Sequence, residues 1–524
     1  MSVPPNPTTK ASLPSALRSR NPLAWLTIFG PGAVIASLTI GAGELIFATR
    51  AGALFGYRLL WFFLLVLVLK WVLVYATARH MVLTGAHPFQ RWMELPGPRG
   101  WLPLVFLWLA LFAFPIWVGF HAGTVGTLMT WFAGTEGTLR GGSHFLWGMV
   151  LLGVITIMAL AGGYQSLERT QMAIVALMLA SVLVSLLVVQ PDWMDFLTGF
   201  VLPRSVHYPD WIAAQKEFAG RPVWVETITY VGVLGGSGYD YLAYVSYLRD
   251  KGWGQSGGGL ASAAELRSMA ENHRHPNRQW LRAVWIDSTL SFLVVLIFTG
   301  VFTACGAVML GPKHEFPTGA NLLTLQSQFV MPLFPWLQYV YFTGAFLAIL
   351  GTLYGTIEVA PAVLREMVLS FGPDYAHNPR LRLASVLWVG LGGFAVLVVS
   401  LLYTWFSESK SPPGLIAILT PANLFTGVLA CGLISLFSVW ADRKHLPSSL
   451  RMSASLTTLN IAAGIAFVAL GVKGYWDHSG GISLLILVAT LSLGWLGAIL
   501  LQKVGASRTK FACQRNAAVE RSAE

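Results

Sequence analysis

From residue 23 onward the chain alternates long apolar runs with short polar connections. Twelve runs are about 20 residues or longer, near 23–55, 58–83, 101–132, 144–164, 167–190, 223–248, 281–310, 331–360, 381–405, 413–440, 454–475 and 481–502. Each is long enough for a helix to cross a hydrocarbon core of ~30 Å. Lipid offers backbone N–H and C=O groups no partner, so runs of this kind must satisfy them internally, as helices. The pattern predicts an all-α polytopic membrane protein with about 12 transmembrane helices. Residues 1–22 are rich in Pro, Ser and Thr and lack the apolar run and cleavage site of a signal peptide, which predicts a short disordered tail.

Composition agrees with that solvent. Only 11% of the 524 residues are charged and 55% are hydrophobic, with a mean hydropathy of +0.63, whereas soluble domains carry about 25% charge. This excludes a soluble enzyme and a disordered scaffold. The three cysteines, Cys305, Cys431 and Cys513, lie far apart in sequence and do not form a disulfide framework. The formal charge of +11 is explained by topology rather than by nucleic acid. With the N-terminus inside, 24 Lys/Arg fall on cytoplasmic segments and 8 on external ones, and Arg50 and Lys70 lie within spans. That asymmetry predicts two cytoplasmic ends, an external 191–222 loop, a cytoplasmic 249–280 loop and a cytoplasmic tail over 503–524. His273-Arg274-His275 in the second loop reads as a solvated basic stretch beside a membrane rather than a metal sensor.

Two runs are not clean apolar rods. Gly30-Pro31-Gly32 opens the first, and Gly41-Ala42-Gly43-Glu44 interrupts it near mid-membrane depth. In the sixth, Gly232 precedes Gly235-Gly236-Ser237-Gly238 and then Tyr239-Asp240-Tyr241. Irregular backbone at that depth is tolerated only against protein or a water-filled cavity. Paired breaks in the first and sixth helices, each followed by an acid, are the pattern of a transporter built from inverted repeats. Glycines serving only close helix packing would explain either cluster alone.

Several ordered stretches resemble the Nramp family of divalent-metal transporters. They are Gly30-Pro31-Gly32, Phe55-Gly56-Tyr57-Arg58-Leu59-Leu60-Trp61, Leu83-Thr84-Gly85, Pro191-Asp192-Trp193 and Thr352-Leu353-Tyr354-Gly355. The resemblance implies a LeuT-type 5+5 inverted repeat with discontinuous helices 1 and 6. Residues 23–190 would form the first unit and 223–440 the second, with two additional C-terminal helices over 441–502. The family's helix-1 motif Asp-Pro-Gly-Asn falls on Gly41-Ala42-Gly43-Glu44, and its helix-6 Met-Pro-His on Tyr239-Asp240-Tyr241. A second helix-6 histidine of the family falls on Ser246. The soft thioether ligand is therefore missing, as are the motif's histidines.

What remains is an oxygen set: Glu44 and Asp240, with Tyr239, Ser237 and freed carbonyls around Gly41. Oxygen donors suit hard cations such as Mn²⁺ and Mg²⁺, although each carboxylate could also simply cap a helix N-terminus. Lys70, deep in the second run, needs a reason to be there. Pairing with Glu44, proton exchange and direct occupancy of a cation's place are the options, and an internal ion pair is the first expectation. Glu226, Glu358 and His121 are further candidates for ion pairing or proton coupling, and Asp287 is placed near the cytoplasmic surface.

The expected function is secondary transport of divalent metal cations by alternating access, with protons as a candidate coupling ion. The expected location is the plasma membrane; the metal is cargo and no cofactor is expected. Two rivals stand beside it: a carrier of a small organic solute such as an amino acid, and a non-transporting sensor or scaffold. The sequence holds no nucleotide-binding loop, catalytic triad or haem motif, so neither a primary pump nor an enzyme is expected.

Overall fold

Apolar runs of membrane-spanning length become helices, and among the described residues every regular element is helical. The computed structural model describes residues 11–19, 21–161, 184, 189–215, 218, 222–318, 321–331, 334–372, 378–407 and 412–523. Four long helices come first: α1 (Pro31–Phe55), α2 (Leu60–Thr84), α3 (Trp101–Phe132) and α4 (Ser143–Ala161). The fifth expected span, 167–190, lies outside the described residues apart from a few positions. The sixth forms two half-helices, α5 (Val223–Val233) and α6 (Gly238–Asp250). Six more long helices follow: α7 (Pro276–Lys313), α8 (Leu337–Phe371), α9 (Arg380–Phe406), α10 (Leu415–His445), α11 (Ala454–His478) and α12 (Gly481–Lys503).

Helix α1, mostly apolar but carrying Glu44 and Arg50, is buried over its most apolar stretch, packed between α7 and α8 with α5 and α6 against it. Helix α2 lies on α7, α10 and α11, and α3 joins α4, α8, α9 and α12. The outer helices keep large apolar side chains exposed, among them Ile482, Leu485 and Ile486 on α12 and Val150, Val154 and Ile157 on α4. A hydrocarbon solvent makes such a surface inexpensive. The start of α1 is fixed from α7: Gly30 and Gly32 donate their amides to Asp287 Oδ1 and Oδ2 at 2.9 and 2.8 Å, and Tyr244 Oη donates to Oδ2 at 2.9 Å. A Cβ on Gly32 would come within 2.6 Å of the Asp287 carbonyl, so glycine is required for this approach.

Two expectations are corrected. Residues 11–19 of the expected disordered tail are placed by contacts: Ala11 N–H donates to Gly252 O at 3.1 Å, Arg282 donates to Leu17 O at 3.0 Å, and Ala16 and Leu17 are buried. The apolar Ala16-Leu17 pair inside a polar stretch is what docks it. In α1 the expected discontinuity at 40–44 is a π-helical segment, Ile40–Ala48, rather than an unwound break. Wider turns absorb the glycines without freeing a run of carbonyls.

The long connections carry their own capped helices. Asp192 caps Trp193–Gly199 through the amides of Met194 and Asp195, and Ser262 with Glu265 forms a capping box on Ala263–Glu271. His275 Nδ1 accepts from Asn277 N–H at 3.2 Å at the start of α7, a capping role for one member of the basic histidine stretch.

Candidate functional site

The α5–α6 break follows from two residues. Gly235 and Gly236 adopt φ of +78° and +95°, a region in which an L side chain is strained. Helix α5 therefore stops at Val233, and α6 restarts behind a capping box in which Ser237 N–H donates to Asp240 Oδ2 at 2.7 Å. A stopped helix leaves orphan carbonyls. Here they meet a side chain from α2: Lys70 Nζ donates to Leu234 O and Gly236 O at 2.7 Å each and to Gly232 O at 3.4 Å. Tyr241 Oη donates to Gly235 O at 2.6 Å and Gly236 O at 3.1 Å.

Glu44 stands across from the break on α1. A Cβ on its neighbour Gly43 would come within 2.9 Å of Val233 O, so the two elements touch at this level. The Glu44 carboxylate is fully buried; Oε1 accepts from Thr299 Oγ1 at 3.4 Å, and Oε2 has no hydrogen-bond partner. Among the described residues no ion pair joins Glu44 to Lys70. In place of the expected pair, the ammonium occupies the carbonyls that the broken helix leaves free, with three acceptors at 2.7, 2.7 and 3.4 Å.

Beside the break lies a cavity with about 40 Å³ of room for water centres, lined by Thr39, Gly43, His121, Gly236, Ser237 and Asp240 and by the rings of Phe114, Trp117 and Tyr239. Tyr239 presents its ring, since its hydroxyl donates to Phe106 O on α3 at 2.6 Å. Neither Glu44 nor Gly41 is among the lining residues. Gly41 is a packing residue here: a Cβ would collide with Thr352 Oγ1 on α8. No group of three or more His, Cys, Asp or Glu poised for a metal occurs among the described residues.

The family model described as "Natural resistance-associated macrophage protein-like", Nramp, matches residues 32–477. The chain is a member of the Nramp family. No curated protein matches significantly by sequence. Among solved structures, the Eremococcus coleocola manganese transporter in complex with an aromatic bis-isothiourea substituted compound aligns with a TM-score of 0.66 at 12% identity. That alignment covers 96% of this chain and 98% of the other. Two mutants of the same transporter align with TM-scores of 0.65 at 13% identity over the same shares. The fold is thus the LeuT-type fold of Nramp proteins, and the chain is an integral membrane protein.

The other ionisable candidates are distributed over this Nramp fold rather than gathered at the break. Glu226 on α5 accepts from Arg50 Nε at 2.7 Å and from Tyr230 Oη at 2.8 Å, while Arg50 also donates to Pro317 O at 2.8 Å and lies over the adjoining Phe218 and Phe316 rings. Glu358 accepts from both Nη atoms of Arg382 at 2.8 and 2.7 Å, tying α8 to α9. His121 Nδ1 meets Thr356 Oγ1 at 3.3 Å beside the cavity. Lys70 belongs to the break, His121 to the cavity wall, and Glu226 and Glu358 to ion pairs.

Sequence reading missed Tyr241, Thr299 and the partnership of Arg50 with Glu226. A signal for the last existed. Two opposite charges inside apolar runs each need a partner, and Arg50, near the end of the first run, and Glu226, near the start of the sixth, fall on the same external side in the predicted topology. Nothing in the sequence marks Thr299 out from other hydroxyls of α7.

Proposed function

We propose that this Nramp protein is a secondary transporter that carries hard divalent cations, Mn²⁺ or Mg²⁺ in character, by alternating access around the α5–α6 break. The observation that carries the reading is the Glu44 carboxylate, buried, with Oε2 unpartnered, facing a helix break whose second half opens with Asp240. A buried charge without compensation is costly, and a cation arriving between α1 and α6 would supply what is missing. Glu44, Asp240 and Ser237 are the proposed oxygen ligands, with the Gly41 and Tyr239 regions shaping the space. The manganese transport named for the Eremococcus coleocola protein supports a first-row or alkaline-earth cargo. Glu226, Glu358 and His121 are the groups through which protons would couple, and the positive-charge asymmetry supports an orientation with both ends cytoplasmic.

The organic-solute reading requires the Lys70 ammonium to be free for a substrate carboxylate. Its three donors face three carbonyls. Uptake of Mn²⁺ into proteoliposomes, with Glu44→Gln as control, tests the proposal. Equal uptake by empty and protein-bearing vesicles across Mn²⁺, Mg²⁺ and Ca²⁺ would overturn it.

A further inference from the structure

The carbonyls of a stopped helix carry the negative end of its dipole. At the α5–α6 break the carbonyls of Gly232 in α5, of its C-cap Leu234 and of Gly236 in the linker converge on one point, and that point is occupied by a charge. Lys70 is fully buried, its ammonium bonded to Gly232, Leu234 and Gly236. Rings of backbone carbonyls are what proteins use to replace the hydration shell of a monovalent cation. We infer that the cage formed by the Gly232, Leu234 and Gly236 carbonyls is a monovalent-cation site, closed in this protein by its own tethered ammonium.

Three observations favour this over a lysine merely stored in the core. The donor count of an ammonium, three, matches the acceptors supplied. The backbone is built to receive it, since Gly235 and Gly236 hold φ of +78° and +95°, a region that strains an L side chain, and so turn the Leu234 and Gly236 carbonyls onto the ammonium. A fourth carbonyl, of Gly235, is turned to Tyr241 at 2.6 Å, while Gly236 O accepts from Lys70 at 2.7 Å and more distantly from Tyr241 at 3.1 Å. The tether makes the cation permanent, so the break keeps its shape without a dissociable ion and independently of which cargo is carried.

Removing the stem should convert the tethered site into a ligand site for K⁺, ammonium or a short primary alkylammonium. Lys70→Ala deletes three carbons and the nitrogen, the size of propylammonium. The test is thermal unfolding of the full-length protein in detergent, without divalent metal, in choline chloride and then in potassium, ethylammonium or propylammonium chloride. In choline the alanine variant should melt about 5 °C or more below wild type. Propylammonium should restore at least half of that loss saturably, while wild type stays unmoved. Lys70→Met, which refills the stem without charge, should lose stability but gain nothing from the amine. Should Lys70→Ala not survive purification in choline, extraction in propylammonium should yield folded protein. Failure to fold there, equal amine shifts in wild type and variant, or variants as stable as wild type in choline would each overturn the inference. Because no transported metal is present, this outcome is separate from that of the flux experiment.

Discussion

Glu44, the proposed cation ligand, sits where it works against stability. Its unpartnered Oε2 is a buried acceptor without a donor, which disfavours the folded state. Glu44→Gln keeps the shape and removes the charge. The expected outcome is a protein that melts at or above the wild-type temperature and has lost Mn²⁺ uptake; retained uptake at full rate would remove Glu44 from the ligand set. The Arg50–Glu226 pair has the opposite character, with both groups buried and bonded. Arg50→Met or Glu226→Gln alone should each destabilise by about 3–5 kcal/mol by stranding the partner, and the double variant should be milder than either. Strictly additive losses in denaturant unfolding would show that the two do not act as a pair.

At the scale of elements, the contrast between α1 and the α5–α6 pair matters most. Both runs contain glycines followed by an acid, yet one stays helical through a π segment and the other breaks. The difference lies in what surrounds the glycines. Gly41 and Gly43 face tight neighbours, Thr352 and Val233 O, and close packing holds the helix. Gly235 and Gly236 meet donors, Lys70 and Tyr241, that stabilise freed carbonyls. Gly235→Ala should therefore cost about 1–2 kcal/mol from its positive φ alone, with a further penalty from the Leu67 contact. Gly153, with nothing near its would-be Cβ, should accept alanine with a change near zero or a gain of up to about 1 kcal/mol. Equal melting temperatures for the two variants would show that the break is not conformationally demanding.

For the molecule as a whole, buried or half-buried ion pairs lie away from the cavity. Arg50–Glu226 lies at the start of α5, while Arg249–Glu366 and Arg365–Asp250 join the end of α6 to α8. The cavity beside the break has no sulfur ligand among its lining residues. Hard ions should accordingly be carried in preference to Cd²⁺. In proteoliposomes Cd²⁺ should compete weakly with Mn²⁺, and Tyr239→Met, which brings a thioether to a cavity-lining position, should strengthen that competition. Unchanged Cd²⁺ competition in an active Tyr239→Met protein would show that position 239 does not reach the cargo.

The solvent, the helical class and nearly all described spans follow from the apolar runs alone, because a chain in lipid has few ways to satisfy its backbone. Gly235-Gly236 was legible as a place where a helix can end, since glycine enters the left-handed region without strain, but that it does end there was decided by its neighbours. Local rules could not decide partnership. Lys70 was legible as a charge needing company, but its choice of three carbonyls over Glu44 depends on α2 lying beside the end of α5. Asp287 is also ordinary in sequence, and it becomes the cap of α1 because α7 brings it beside Gly30 and Gly32. The π segment of α1 was hidden for a related reason: glycine permits a break, and only the packing of Thr352 and Val233 O around Gly41 and Gly43 determines that the helix continues. Charge and hydropathy are properties of the chain, but which acceptor a buried donor finds is set by distances that exist only after the helices have packed.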